Sequence, residues 1–196
     1  MSDIETKEKD PRRQIIETAA RLFREIGFQK TTVADIAREL RMSPANVYRF
    51  FAAKSEINAA VGRQLMDEVE DAALRIAEGL GPASERLRTL IKTLEAMNAE
   101  RYLGDRKLHD MVEVALHEQW PIIEQHTNQL ASCFTRIIAD GMEAGEFAAA
   151  DPVLATKLVR TACMRFCHPR LMVECADKPE PTSDQMVDFC LAALRA

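Results

Sequence analysis

The side chains best equipped for chemistry in this chain cluster around Ser43. They are Ser43, Pro44, Ala45, Asn46, Tyr48 and Arg49, with Arg41 just before them and Lys54 just after. The carboxamide of Asn46 can pair bidentately with an adenine edge, and the guanidinium of Arg49 can reach a guanine or a phosphate. Pro44 and Ala45 are small enough for close approach and for contact with a thymine methyl. Tyr48 and Lys54 suit backbone phosphates, which fix register without reading sequence. The chemistry on offer is recognition of a nucleic acid. Covalent chemistry has no comparable support. The chain lacks a nucleophile-elbow serine, a phosphate-binding glycine loop and an HExxH pair, so no catalytic residue, cofactor or metal is implied.

Such a set works only if it is held on a helix that can be presented outward. Val33, Ile36, Ala37 and Leu40 recur at offsets of three, four and seven, the apolar face of a short helix. Thr31 and Thr32 precede it, with Thr32 at the N-cap. Its hydroxyl there can bond an orphan amide of the first turn or leave those amides to a phosphate oxygen. Arg41, Met42 and Ser43 make a tight turn. Ser43 caps a second helix, with Pro44 at its first position, where a missing N–H costs nothing. Val47 and Phe51, four apart, pack back on the first helix and leave Ala45, Asn46 and Arg49 outward. Two short helices joined this way place the second in a DNA major groove.

The segment from Ile15 to Ile57 also resembles a known family. ETAARLFREIGFQKTTVADIAREL followed by MSPANVYRFFAAKSEI is similar to the DNA-binding domain of TetR (tetracycline-repressor) transcriptional regulators. The resemblance covers the first quarter to third of the chain: a first helix ending in Phe-x-x-x-Gly-Phe, then Thr-Thr, Asp-Ile-Ala, Val-Tyr-x-Phe-Phe and Lys-Ser-Glu. It implies an all-helical homodimer with an operator-binding N-terminal domain and a C-terminal domain that holds a small effector. It also implies that Thr32, Ser43, Pro44, Ala45, Asn46, Tyr48 and Lys54 lie at the DNA, and a repressor in preference to an activator. One position departs from the family. Arg41 stands where the turn usually has glycine, and a non-glycine residue at positive φ is strained.

The whole-chain numbers agree with a soluble helical protein. The chain has 196 residues, 47% hydrophobic and 29% charged, with only seven glycines and two tyrosines. No run of about eighteen apolar residues occurs, and the charged start MSDIETKEKD is unlike a signal peptide, so the expected location is the cytoplasm, with no membrane partner. Five cysteines, an odd count, fit reduced thiols. The net charge of −5 divides unevenly: residues 11–54 hold nine Lys/Arg against four Asp/Glu, a surplus of five, leaving −10 on the remainder. A basic head on an acidic body suits phosphate at one end only.

The expected fold is all-α, with about nine helices. A three-helix helix-turn-helix domain occupies residues 10–56, and a helical bundle for ligand binding and dimerisation occupies 57–196. In the first helix Ile15, Ile16, Ala19, Leu22, Phe23 and Ile26 face inward, and Gly27 ends it. Ser84 and Ser183 are the expected caps of two later helices, and Gly141 and Gly145 mark the stop of a third. Met97, Arg101, Tyr102, His109, Met111, Trp120 and Phe134 are the candidate lining of an effector pocket, apolar with a few polar anchors. In the resembling family the last two long helices form a four-helix dimer interface. A wide apolar stripe on this chain's last two long helices independently favours a two-fold partner, with Val153, Leu154, Leu158, Ala162, Phe166, Val187, Leu191 and Leu194 at the contact. Cys163 and Cys167, four apart, offer a thiol-responsive alternative.

Overall fold

A computed structural model describes residues 10–103, 106–118, 120–178 and 180–195; of these, the side chains of Arg106, Leu108 and His109 remain outside the description. Among the described residues the chain forms ten α-helices and one π-helical segment, without a strand. They are α1 (Pro11–Ile26), α2 (Val33–Glu39), α3 (Pro44–Tyr48), α4 (Lys54–Ala77), α5 (Ala83–Asn98), the π-helix Ala99–Leu103, α6 (Arg106–His117), α7 (Pro121–Glu143), α8 (Pro152–Cys167), α9 (Pro169–Glu174) and α10 (Ser183–Arg195). The surplus over nine comes from α9, which follows directly where α8 ends at Cys167. Proline serves as the first residue of a new helix, where no N–H is needed.

The chain divides into two compact units, residues 1–64 and 65–196. The division falls within α4, eight residues beyond the boundary expected at Glu56. In the first unit, Asp10 caps α1 by accepting from the Arg12 amide at 3.0 Å. Ile15, Ala19, Leu22 and Phe23 are buried, joined by Val33, Ile36, Val47, Phe51 and Ile57. Phe23 meets Phe28 edge to face at 6.3 Å, and the Arg12 guanidinium lies 4.5 Å from the centre of the Phe51 ring. Ile26, expected inside, is exposed, because α1 ends there and Gly27 turns the chain away at φ 95°.

The second unit is organised by α5, α7, α8 and α10, whose apolar faces meet in one core that includes Leu87, Leu90, Ile91, Phe134, Ile137, Ile138, Val159, Val187 and Leu191. Two of its helix starts differ from the sequence reading. Ser84 is not the cap of α5. The Glu146 carboxylate, 62 residues away, accepts from the Ala83 and Ser84 amides at 2.7 and 3.0 Å and from the Ser84 hydroxyl at 2.8 Å. At α10 the cap is Thr182, reciprocated by Gln185, while Ser183 is turned inward to Glu95 and Lys92. Gly141 does not stop α7. It lies inside the helix, where a Cβ would overlap the Phe147 ring, and the stop is Gly145 at φ 73°.

Candidate functional site

The first unit builds a helix-turn-helix from local chemistry. Thr32 caps α2 through a complete capping box: its hydroxyl accepts from the Asp35 amide at 3.1 Å and donates to the Asp35 carboxylate, which also takes the Thr32 amide at 2.9 Å. These Thr32 hydrogen bonds, with Arg38 adding to them, hold Asp35 below the usual carboxylate range. The Thr32 hydroxyl is therefore used within the chain. Thr31 was expected at the DNA and is fully buried, its hydroxyl donating to the Gly27 carbonyl at 2.8 Å. It secures the entry to α2 and presents nothing outward.

The turn between α2 and α3 is a Schellman closure. The Met42 amide donates to the Ala37 carbonyl at 2.9 Å and the Arg41 amide to the Arg38 carbonyl at 3.1 Å. That pattern needs a left-handed residue just past the helix, and Arg41 takes it at φ 54°, the one non-glycine residue at positive φ among those described. The turn is thus the usual shape made from an unusual residue. Ser43 then caps α3, its hydroxyl accepting from the Asn46 amide at 3.2 Å, and Pro44 occupies the first position.

On α3 only Val47 is buried. Pro44, Ala45, Tyr48 and Arg49 are exposed, and Asn46 is half-buried, its side-chain amide 3.9 Å from the Met42 sulfur. The side chains of Arg41 and Arg49 have no hydrogen bond or ion pair among the described residues, so both guanidinium groups are available to an anion. Lys54 is otherwise engaged. Its ammonium donates to the Phe28 and Gln29 carbonyls at 2.6 and 3.3 Å, and burial pushes its pKa down. Sequence spacing could not reveal that tie, because the two partners lie 25 and 26 residues earlier.

The second unit holds a cavity of about 160 Å³, mostly apolar, walled by α4, α5, the π-helix, α6, α7, α8 and the start of α9. Of the expected lining, Tyr102 and Phe134 face it. Met97 packs against the core, Met111 is buried and is not part of the wall, and Arg101 donates to the Leu65 carbonyl at 2.6 Å and pairs with Glu68. Trp120 is half-buried and donates to Glu118 at 2.8 Å. The side chain of His109 lies outside the described residues. The wall instead recruits Asn98, His126, Thr127, Arg160, Cys163, Cys167 and His168, none of them in the expected set. The spacing of Arg160 with Cys163, Met164 and Cys167 on one face of α8 was a signal that could have pointed there.

The proposed contact face on α8 and α10 separates into two groups. Val153, Leu154 and Leu158 are at least half exposed, as is Phe189, which the sequence reading omitted. Phe166, Val187, Leu191 and Leu194 are buried within their own chain and cannot face a partner; Ala162 is half-buried. The stripe on α10 is real, but its wider side faces α5 and α8. All five cysteines are free thiols. The neighbouring Cys190 thiol together with burial pushes the pKa of Cys163 up, and burial pushes Cys167 up to about 12.

A basic helix-turn-helix unit joined to an all-helical unit with an internal cavity defines a class of DNA-binding regulators. Residues 15–61 match the family described as bacterial regulatory proteins, tetR family, and residues 83–187 match its tetracyclin repressor-like C-terminal domain. The chain belongs to the tetR family of transcriptional regulators. It is 37% identical over 79 residues to the transcriptional regulator HbdR of an Aromatoleum species, a stretch covering 40% of this chain and 34% of that relative. Two solved structures share the fold across nearly the whole chain. FadR from Bacillus subtilis, in complex with stearoyl-CoA, is 18% identical with a TM-score of 0.65, covering 94% of this chain and 97% of that one. AibR, in complex with isovaleryl coenzyme A and operator DNA, is 21% identical with a TM-score of 0.57, covering 94% and 98%. No helix among the described residues is long and apolar enough to cross a membrane.

Proposed function

We propose that this chain is a ligand-responsive repressor: a cytoplasmic homodimer that holds operator DNA through α3 and releases it when a small molecule fills the cavity of the second unit. The observation that carries this reading is the division of labour between the units. One presents Pro44, Ala45, Asn46 and Arg49 on a short capped helix, and the other encloses an apolar space with a few polar groups on its wall. The family and the complexes formed by FadR and AibR support it. α4 contributes residues to both units, and its Leu65, Met66 and Val69 line the cavity. An effector shifts the chain between DNA-binding and released forms only by its difference in affinity for the two. We assign the chain no catalysis. The thiol-responsive alternative has weaker support, since attack on an oxidant needs a thiolate and both Cys163 and Cys167 are held as thiols.

The test is a fluorescence titration of the intact protein against the DNA flanking its own gene, with a scrambled duplex as control. Selective binding is expected, and Asn46→Ala should lose about 1–3 kcal/mol of discrimination at one base pair. Equal affinity for both duplexes, or a uniform loss across all sequences in the variant, would remove Asn46 from the base edges.

A further inference from the structure

We propose that the effector is a small carboxylate whose anionic head sits on the Arg160 guanidinium and whose apolar body lies against Leu94, Leu130 and Phe134. The inference rests on the effector-responsive reading above and adds the chemical class of the ligand.

The argument begins with an imbalance of charge. Arg160 stands on the face of α8 that also carries Cys163, Met164 and Cys167, at offsets of three, four and seven, and all four line the cavity. Its side chain is half-buried and has neither hydrogen bond nor ion pair among the described residues. Other arginines of the same unit are provided for: Arg86 pairs with Asp140, Arg101 with Glu68, Arg136 with Glu78 and Arg170 with Glu174. Among the described residues no Asp, Glu or Lys lines the cavity, so Arg160 is the one permanently charged wall residue among them.

The remaining polar groups reinforce this. His126 is committed to Glu70 at 2.8 Å. His168, at the end of α8, keeps a buried Nδ1 with no hydrogen-bond partner, and burial lowers its pKa, so the ring enters as a neutral polar group. A desolvated cation without a counter-ion is costly, and folded chains normally supply one. Here no described residue of the wall does, and a ligand can. A carboxylate meets a guanidinium fork to fork with two charge-assisted hydrogen bonds. A neutral carbonyl, such as that of an amide or an acyl thioester, leaves the charge uncompensated.

The space sets the size. A cavity of about 150 Å³ holds a benzene ring, so the 160 Å³ here takes a body of about six to eight non-hydrogen atoms. An aromatic acid with one ring, or a short-chain aliphatic acid, meets both conditions.

The experiment is calorimetric titration of the intact protein with benzoate and hexanoate, against benzamide, hexanamide and hexanoyl-CoA. The two acids should bind at least tenfold more tightly than their amides. Arg160→Met should weaken the acids roughly 10- to 150-fold, the range for losing a charged hydrogen-bond partner. Arg160→Lys should retain the preference for acid over amide. Unliganded Arg160→Met should melt at or above the wild-type temperature, because it removes an unpaired cation from an apolar wall; that measurement separates lost recognition from lost folding. Equal binding of acid and amide, undiminished acid binding by Arg160→Met, binding of the thioester alone, or no acid binding at millimolar concentration would each overturn the proposal. A parallel DNA-release assay keeps the two readings apart. Acids that bind without releasing DNA refute the repressor mechanism and leave the site standing, whereas release by another class of compound, with no acid bound, refutes only the site.

Discussion

Replacing Arg41 by glycine should strengthen the first unit and weaken its hold on DNA. The backbone there sits at φ 54° because the Schellman closure of α2 demands it. A left-handed L-residue costs about 1–2 kcal/mol, which glycine does not incur. Against that, glycine adds about 0.5–1 kcal/mol of unfolded-state entropy, so the net gain is about 0.5–1 kcal/mol. Hydrogen exchange at the Met42 amide, which donates to Ala37 across the turn, reads the local opening directly and should slow about two- to fivefold, by the exponential relation between opening free energy and exchange rate. The same substitution deletes a guanidinium that has no partner among the described residues. The log–log salt dependence of operator binding should flatten by about one unit per bound protomer. Arg41→Ala separates the two effects: it removes the cation and keeps the strain, so it should flatten the salt dependence without slowing exchange. If the glycine and alanine variants exchange alike, the turn carries no strain. If neither changes the salt slope, Arg41 is not over the phosphates.

Lys54→Met should destabilise the first unit by about 1–3 kcal/mol in urea titration and leave the salt slope of DNA binding unchanged, because the ammonium serves the Phe28 and Gln29 carbonyls. A flattened slope at undiminished stability would return it to the DNA. Glu146→Gln should cost about 0.5–2 kcal/mol at pH 7 through loss of the charged cap on α5. Burial opposes the Glu146 charge, but hydrogen bonds from Ser84 and Ala83 outweigh it and hold the pKa below the ordinary value. The wild-type advantage is therefore present at and above the ordinary carboxylate pKa and disappears as pH falls through the lower folded one, and a gap that persists at pH 2 would contradict this. Leu158→Asp should convert the proposed dimer to monomer in light scattering with little change in monomer stability. Leu191→Ala should instead cost about 2–5 kcal/mol of stability from a core cavity, and the reverse pattern would exchange the roles of the two positions.

In both units, which side chains can take an outside partner turns on which groups are already spoken for. Within the first unit, Thr31, Thr32 and Lys54 spend their polar atoms on the chain itself, so the proposed DNA surface narrows to Arg41, α3 and Arg49. In the proposed complex that narrowing concentrates base reading on Asn46 and Arg49, both within about two turns of the α3 cap. Within the second unit, the same accounting works in the opposite direction: Arg101, expected at the ligand, is satisfied by Leu65 and Glu68, and Arg160 is not.

By itself the sequence determined what depends on near neighbours. The α2–turn–α3 unit, the caps at Asp10, Thr32 and Ser43, Pro44 at a first position and the left-handed strain at Arg41 all follow from side chains and amides within a few residues of one another. The helical spacing likewise marked nine of the ten helices. Only the tertiary structure decided which partners meet across long separations. It placed Glu146 on the start of α5 and Lys54 on the carbonyls of residues 28 and 29, and it turned Val187 and Leu191 inward while leaving Leu158 and Phe189 outside. It also assembled a cavity from helices far apart in the chain, with an arginine in its wall that no described residue pairs. An apolar stripe fixes which face of a helix must be covered, but the covering surface comes from another part of the chain. Pairing of a charge depends on distance in space, which periodicity along one helix does not encode.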